Sequence, residues 1–358
     1  MFPPPACEGW GKGDPFMPSE QDLIARYFTR PPRRADVVFG VGDDAAILQP
    51  RRDDEILISV DTLVEGVHFS PDVEPAALGH RSLAVNLSDM AAMGAEPAWA
   101  TLALTLPRAD EEWLSRFAKG FFALADEYDV DLIGGNITRG PLSITVQIHG
   151  YAPRGIAFRR GAARPGDLVF VTGTLGDAGL ALLLAMEKTA ACAPEAMSFL
   201  RERLERPRPR VREAMALRGR IHAAIDISDG LAADIGHVAA ASGAGATLRL
   251  SDLPLSAAFR SCLGKSSVLH TESMRRRLHG RDPGLAWVEL ALTSGDDYEL
   301  CFTAAADQRP GIETVLASCG CACIGIIVPR AGLRCLLGDG SLYRLEGAGW
   351  DHFGTPSR

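Results

Sequence analysis

The stretch GVGDDAAIL, residues 40–48, sets two adjacent carboxylates, Asp43 and Asp44, in a turn between short apolar runs. Val37-Val38-Phe39 leads into it, and Gly40 and Gly42 let the backbone turn tightly. Neighbouring like charges beside a buried strand are unfavourable unless a cation sits there. The same setting, a strand end with Gly or a small residue and an acid, recurs at Asp61, Asp89, Asp226 with Asp229, and Asp296 with Asp297. Singly, each is an ordinary Asp/Gly turn. Together they predict acids converging on several magnesium ions, which in turn hold a nucleotide polyphosphate.

Outward from that stretch, Ser19 caps a helix over 19–30, and strands follow at 37–39, 45–48 and 56–60. A long helix over 75–93 ends at Gly94, followed by a near-continuous apolar strand at 98–106. Trp113, Phe117, Phe121 and Leu124 share one stripe of a helix over 110–127, and the next strand is 142–152. Pro153 to Gly166 is rich in Arg, Gly and Pro and marks the domain boundary. The second half restarts with a strand at 167–173 and an Ala/Leu-rich helix. An Arg-rich helix over 195–218, the strand end of HAAIDIS, a helix over 229–242 and a strand at 246–250 follow, and LCFTA, CIGIIV and RCLLG supply the last strands. Residues 262–286 are polar and basic without clear period, and predict an inserted surface loop. Helices and strands mix without a strict β-α repeat, which predicts an α+β protein of two α/β sandwich domains with mixed sheets rather than a doubly wound fold. The expected units are a flexible extension (1–18), an N-terminal domain (19–153) and a C-terminal domain (154–358).

Composition narrows the function classes. The 358 residues suffice for two domains, and a net charge of −8 argues against a nucleic-acid partner. No apolar run reaches membrane-spanning length, and MFPPPACEGWGKGDPF lacks the basic-then-apolar order of a secretory leader. Cys319, Cys321 and Cys323 match none of the usual zinc spacings and read as small residues of a strand. A cytoplasmic protein with reduced thiols is the expectation.

Gly40-Val41-Gly42-Asp43-Asp44-Ala45 fits a loose dinucleotide pattern, but Pro50 forbids the required helix and two acids would face the pyrophosphate. His80-Arg81-Ser82-Leu83 has Ser where a protein-kinase catalytic loop needs Asp, and no GxxxxGK[ST] motif exists. Asn86 and Asp89 share a face of the 75–93 helix, and an acid on that apolar surface is either a buried paired group or a metal ligand. Asp226-Ile227-Ser228-Asp229-Gly230 sets two acids at a helix start, where free N–H groups suit phosphate; equally, Ser228 or Asp229 is a simple N-cap. His68 suits a site or a core position alike, and Arg160 is a good partner for phosphate oxygens.

GVGDDAAIL (40–48), VDTLVEGVHF (60–69), HRSLAVNLSDMAAMGAEPAWATLALTLP (80–107), LIGGNITRGPLSIT (132–145), AIDISDGLAADIGH (224–237), SGDDYELCFT (294–303) and GWDHF (349–353) carry a resemblance. The chain resembles the thiamine-monophosphate kinases, of the superfamily that includes aminoimidazole-ribonucleotide synthetase. The resemblance runs from about Ser19 to Phe353. It implies ATP and magnesium as cosubstrates, thiamine monophosphate as acceptor, and a homodimer in which the first domains pair their sheets. It suggests Asp43, Ser59, Val60, Asp61, Asp89, Asn136, Asp226 and Asp229 around magnesium, with Asp89, Asp226 and Asp43 central to catalysis. It places Gly135, Asn136, Arg160 and Ser228 at ATP, and His68, Asp296 and Trp350 at the acceptor. Val60 stands where similar proteins often have Thr, so a contact there must come from backbone. Asn136 stands where the family pattern has Asp, and Asn keeps an oxygen but loses the charge. Asp296 stands where Glu is common.

The chemistry implied is direct in-line transfer. A phosphate monoester, with a second pKa near ~6, is mostly dianionic at neutral pH and needs no strong base. The obstacle is repulsion between two polyanions, which metal-bound carboxylates relieve. Trp350 is positioned by the resemblance to stack on the cationic thiazolium ring. Alternatives are a non-catalytic binder of nucleotide or thiamine phosphate, suggested by Asn136, and another ATP-using enzyme of the superfamily.

Overall fold

The computed structural model describes residues 18–187, 192–263, 272, 274, 278 and 282–345. Most of the N-terminal extension and Trp350 lie outside them. Ser19 caps α1 (Glu20–Tyr27) through a reciprocal bond with Asp22. A hairpin of β1 (Val37–Phe39) and β2 (Ile47–Leu48) follows, with GVGDDAA as its connection.

The first large sheet has the order β3-β6-β4-β5, from β3 (Asp54–Val64), β4 (Glu96–Leu106), β5 (Asp131–Arg139) and β6 (Ser143–Pro153). It is mixed: β4 and β5 run parallel and the other pairs antiparallel. Helices α2 (Pro75–Ala92) and α3 (Glu111–Glu127) join its strands. Strand β5 was not expected from sequence, because Gly134-Gly135 interrupts its apolar pattern. A Cβ at Gly135 would run into the Leu102 carbonyl, so glycine is what lets β5 lie against β4.

The second sheet has the order β13-β12-β9-β11-β7-β10-β8. Its strands are β7 (Leu168–Thr172), β8 (Ala223–Asp226), β9 (Gly245–Arg249), β10 (Leu300–Ala304), β11 (Cys321–Val328), β12 (Gly332–Leu336) and β13 (Leu342–Tyr343). It too is mixed, with β12 parallel to β9 and its other neighbours antiparallel. Helices α4 (Asp177–Met186), α5 (Pro194–Glu205), α6 (Val211–Ala216), α7 (Leu231–Ala241) and α8 (Ala257–Leu263) surround it. The α+β expectation of mixed sheets holds.

Three expectations are corrected. The 195–218 helix is two helices, α5 and α6, because Pro207 and Pro209 break it. Within 262–286, the described Cys262, Leu263, Met274 and Leu278 are buried with Leu180, Leu184 and Leu200, so the stretch contributes to a core rather than only to a surface loop. Cys192, just before α5, and Cys262, in α8, form a disulfide with a Cα–Cα distance of 5.1 Å, where free thiols were expected. Cys321 and Cys323 do lie in a strand. Among the described residues no helix is long and apolar enough to cross a membrane.

Candidate active site

The site is built around α2. Leu78, Leu83, Val85, Leu87 and Met90 are buried on all sides of it, as expected for a helix enclosed by its own domain and a second one. Gly79 of α2 and Gly120 of α3 remove the side chains that would block their close crossing. The polar residues of α2 reach across to the second half. Arg81 Nη2 donates to Asp296 Oδ1 at 2.8 Å, and Ser88 Oγ donates to Asp226 Oδ2 at 2.8 Å. Asp89, one residue on, accepts from the Ser59 hydroxyl on β3.

Alternation along β3 decides what else faces α2. Leu57, Ser59, Asp61 and Leu63 are more covered, while Ile56, Ile58, Val60 and Thr62 are exposed on the opposite face. Thus Ser59 and Asp61 share the α2 side. The Val60 side chain points away, so its participation is limited to backbone.

The electrostatics draw these acids into one group. Burial pushes Asp61 up to about 6, and the charges of Asp89 and Asp229 add to the rise. Burial pushes Asp226 up to about 7, with Asp89 and Asp61 raising it further and the Ser88 hydroxyl and Arg160 opposing. Asp89 is raised by burial against the Ser59 hydroxyl and the Arg160 charge. Carboxylates from β3, α2, the end of β8 and the start of α7 therefore sense one another at the joint between the halves.

A further acid was missed. Asp234, in the first turn of α7, accepts from the backbone N–H of Gly230 at 3.1 Å and of Asp229 at 3.3 Å. Burial, then Asp226 and Asp229, push it up to about 8. Its signal in the sequence is an acid four residues after Gly230, which reads as ordinary helix-start chemistry.

Other expected residues are placed as follows. Asp43 is exposed on the hairpin connection and accepts from the Asp44 N–H at 2.8 Å; among the described residues it has no bond to the carboxylate group. Gly135 and Asn136 are exposed on edge strand β5, with Asn136 opposite Ala103. Arg160 is exposed on the strap between the halves, near enough to act on Asp89 and Asp226. The Ser228 carbonyl accepts from the Asp296 N–H at 2.9 Å, joining two expected site turns. His68 Nδ1 accepts from the Val64 N–H at 3.0 Å. Asp296 adopts a φ of 59° beside Arg81, and Tyr298 Oη donates to it at 3.3 Å.

The donor set is hard oxygen, which suits magnesium rather than a soft metal. Among the described residues no three His, Cys, Asp or Glu are drawn into a ready-made metal cage.

Comparison with known proteins agrees with this architecture. Residues 42–152 match the N-terminal domain of the AIR synthase related proteins, and residues 164–334 match their C-terminal domain. The thiamine-monophosphate kinase of Escherichia coli (strain K12) is 44% identical over 340 residues, covering 94% of this chain and 99% of that protein. The crystal structure of thiamine-monophosphate kinase from Stenotrophomonas maltophilia K279a is 45% identical with a TM-score of 0.75, covering 90% of this chain and 96% of the other. A solved chain described as AaThiL complexed with AMPPCP and TMP is 32% identical with a TM-score of 0.69, covering 87% and 92%. Similarity of this extent in sequence, domain pair and fold shows that the chain belongs to the thiamine-monophosphate kinase family.

Proposed function

We propose that the chain transfers the γ-phosphoryl group of ATP directly to the phosphate of thiamine monophosphate, giving thiamine diphosphate and ADP. The observation that carries this reading is the convergence of Asp61, Asp89, Asp226 and Asp229 from both halves, each raising or raised by another. Magnesium, when bound, supplies the positive charge that lets two phosphate groups approach. Asp61, Asp89, Asp226 and Asp229 would hold it, with Ser59 and the Val60 backbone beside them, Asn136 contributed from exposed edge strand β5 and Asp43 from the exposed hairpin connection. Ser88 and Ser59 orient two of those carboxylates through their hydroxyls. Arg160, Gly135 and Ser228 serve the nucleotide. Asp296, fixed by Arg81, serves the acceptor with His68, and Trp350 is assigned there by sequence alone.

A homodimer is part of the reading. Ile56, Ile58 and Val60 are 45%, 58% and 56% exposed along edge strand β3, an apolar stripe on a sheet face suited to pairing with a second copy. The reading also places the enzyme in the cytoplasm, where ATP and magnesium are both at hand.

Incubation with ATP, magnesium and thiamine monophosphate, followed by chromatography, tests the reaction. Thiamine diphosphate and ADP in equal amounts are expected. Nucleotide binding without either product would overturn catalysis in favour of a binding role.

A further inference from the structure

Behind the strap that carries Arg160 lies an open cleft of about 430 Å³, within the range of small-molecule sites. Ile156, Phe158 and Ile221 give it an apolar floor, Arg159 and Arg164 line it with positive charge, and His222 adds the edge of an imidazole. None of the residues lining it is acidic. Asp167 stands behind His222 and receives its Nδ1 at 2.9 Å. That bond orients the imidazole and leaves Nε2 as the remaining polar atom of the ring. Neither the Arg159 nor the Arg164 guanidinium has an ion pair among the described residues, whereas Arg34, Arg51, Arg81 and Arg210 are all paired.

The cleft is mechanically tied to the carboxylate centre. The Phe158 N–H donates to the Met93 carbonyl at 3.0 Å, just past the end of α2. A Cβ at Gly94 would come within 2.7 Å of the Phe158 ring, so the strap sits directly on the turn that ends α2. On its other side, Ser242 beyond α7 donates from Oγ to the Arg160 carbonyl and accepts from the Ala163 N–H, both at 3.1 Å. Arg159 is extended, so neighbouring side chains of the strap diverge: Arg159 lines the cleft, and Arg160 acts on Asp89 and Asp226.

We propose that this cleft is a second anion site, separate from the carboxylate centre, which takes a phosphate dianion between Arg159 and Arg164 and thereby fixes the strap that presents Arg160. The apolar floor favours a small phosphomonoester over free phosphate. The site stands on its own lining and does not depend on which phosphoryl acceptor the carboxylate centre uses.

Calorimetric titration of the full chain, saturated with magnesium and AMPPCP, tests it with inorganic phosphate and phenyl phosphate as probes. One phenyl phosphate per chain is expected, bound more tightly than inorganic phosphate. Arg159→Ala with Arg164→Ala is expected to weaken it about tenfold or more, for the loss of two charge-assisted contacts. AMPPCP affinity, measured separately, is expected to stay unchanged. Equal affinity for the two probes would assign the site to free phosphate and overturn the preference for an ester. No binding to the saturated protein, or undiminished binding by the double variant, would overturn the site itself. Weakened AMPPCP binding in the double variant would overturn its separateness and make the cleft part of the nucleotide site. Both residues are exposed, so the double variant is expected to fold, and a thermal melt checks that it does.

Discussion

Ser88 Oγ donates to Asp226 Oδ2 at 2.8 Å across 138 positions of sequence, tying the middle of α2 to the end of β8. Asp226 is 4% exposed, so its carboxylate depends on that donor. Ser88→Ala is expected to cost about 1–3 kcal/mol of stability, because a buried acceptor loses its partner. It also removes a bond that favours the charged form, so the acidic limb of the pH–rate profile should move to higher pH. A limb that stays in place would show that the bond holds structure only.

Crowded acids make the metal-free protein pH-sensitive. Asp61, Asp226 and Asp234 are pushed up to about 6, 7 and 8, above their unfolded values. The folded state therefore holds protons that the unfolded chain has released, and stability falls as pH rises from about 4 through 8. In EDTA the melting temperature is expected to be lower at pH 8 than at pH 5.5. Added magnesium should raise it more at pH 8, where the carboxylates are free to bind. An equal rise at both pH values would count against these acids as ligands.

Much of this was legible in the sequence because it depends on local rules. Ser19, the apolar stripe of α3 and the Gly94 stop each follow from spacing alone. The residues that failed were decided at a distance. Strand β5 carries two glycines that break its apolar pattern, and the need for Gly135 shows only when β5 lies against the Leu102 carbonyl of β4. Met274 and Leu278 look like loop residues until α4 and α5 cover them. In the site, Asp89 and Asp226 were recognisable as acids on apolar elements; of the serines that hold them, Ser59 entered only through the resemblance, and Ser88 is an ordinary serine until the fold brings it to Asp226. Asp43 was the most conspicuous acid in the sequence, yet it sits exposed on a hairpin connection.

Asn136 faces solvent on edge strand β5, paired in register with Ala103. An exposed position accepts a new charge with little strain on the fold. Asn136→Asp is expected to lower the magnesium concentration for half-maximal rate, with a melting temperature close to that of the parent. A magnesium titration that does not move would remove Asn136 from the ligand set.

Glu299 is a structural counterpart to the site acids. It is 1% exposed and meets Arg210 through two bonds of 2.6 and 2.7 Å, Arg203 at 2.9 Å and Thr172 at 2.6 Å. Arg210→Met leaves a buried carboxylate with Arg203 as its remaining cation. A loss of about 3 kcal/mol in urea unfolding is expected, the lower end for a broken buried pair. Turnover per folded molecule should be nearly unchanged, and a large fall in kcat would mean that the network reaches the reacting groups.

Arg81 and Asp296 give the opposite expectation. Arg81 is 5% exposed, and its Nε is buried without a hydrogen-bond partner among the described residues. Such an orphan donor is ordinarily met by water or a ligand. Asp296 holds a left-handed φ of 59°, uncommon for a non-glycine residue, in contact with the Arg81 guanidinium. Arg81→Met should let the Asp296 turn relax and remove the donor at once. The KM for thiamine monophosphate is expected to rise about tenfold, equivalent to ~1.4 kcal/mol, while the KM for ATP stays nearly constant. Parallel rises in both would show that Arg81 joins the two halves without reading the acceptor.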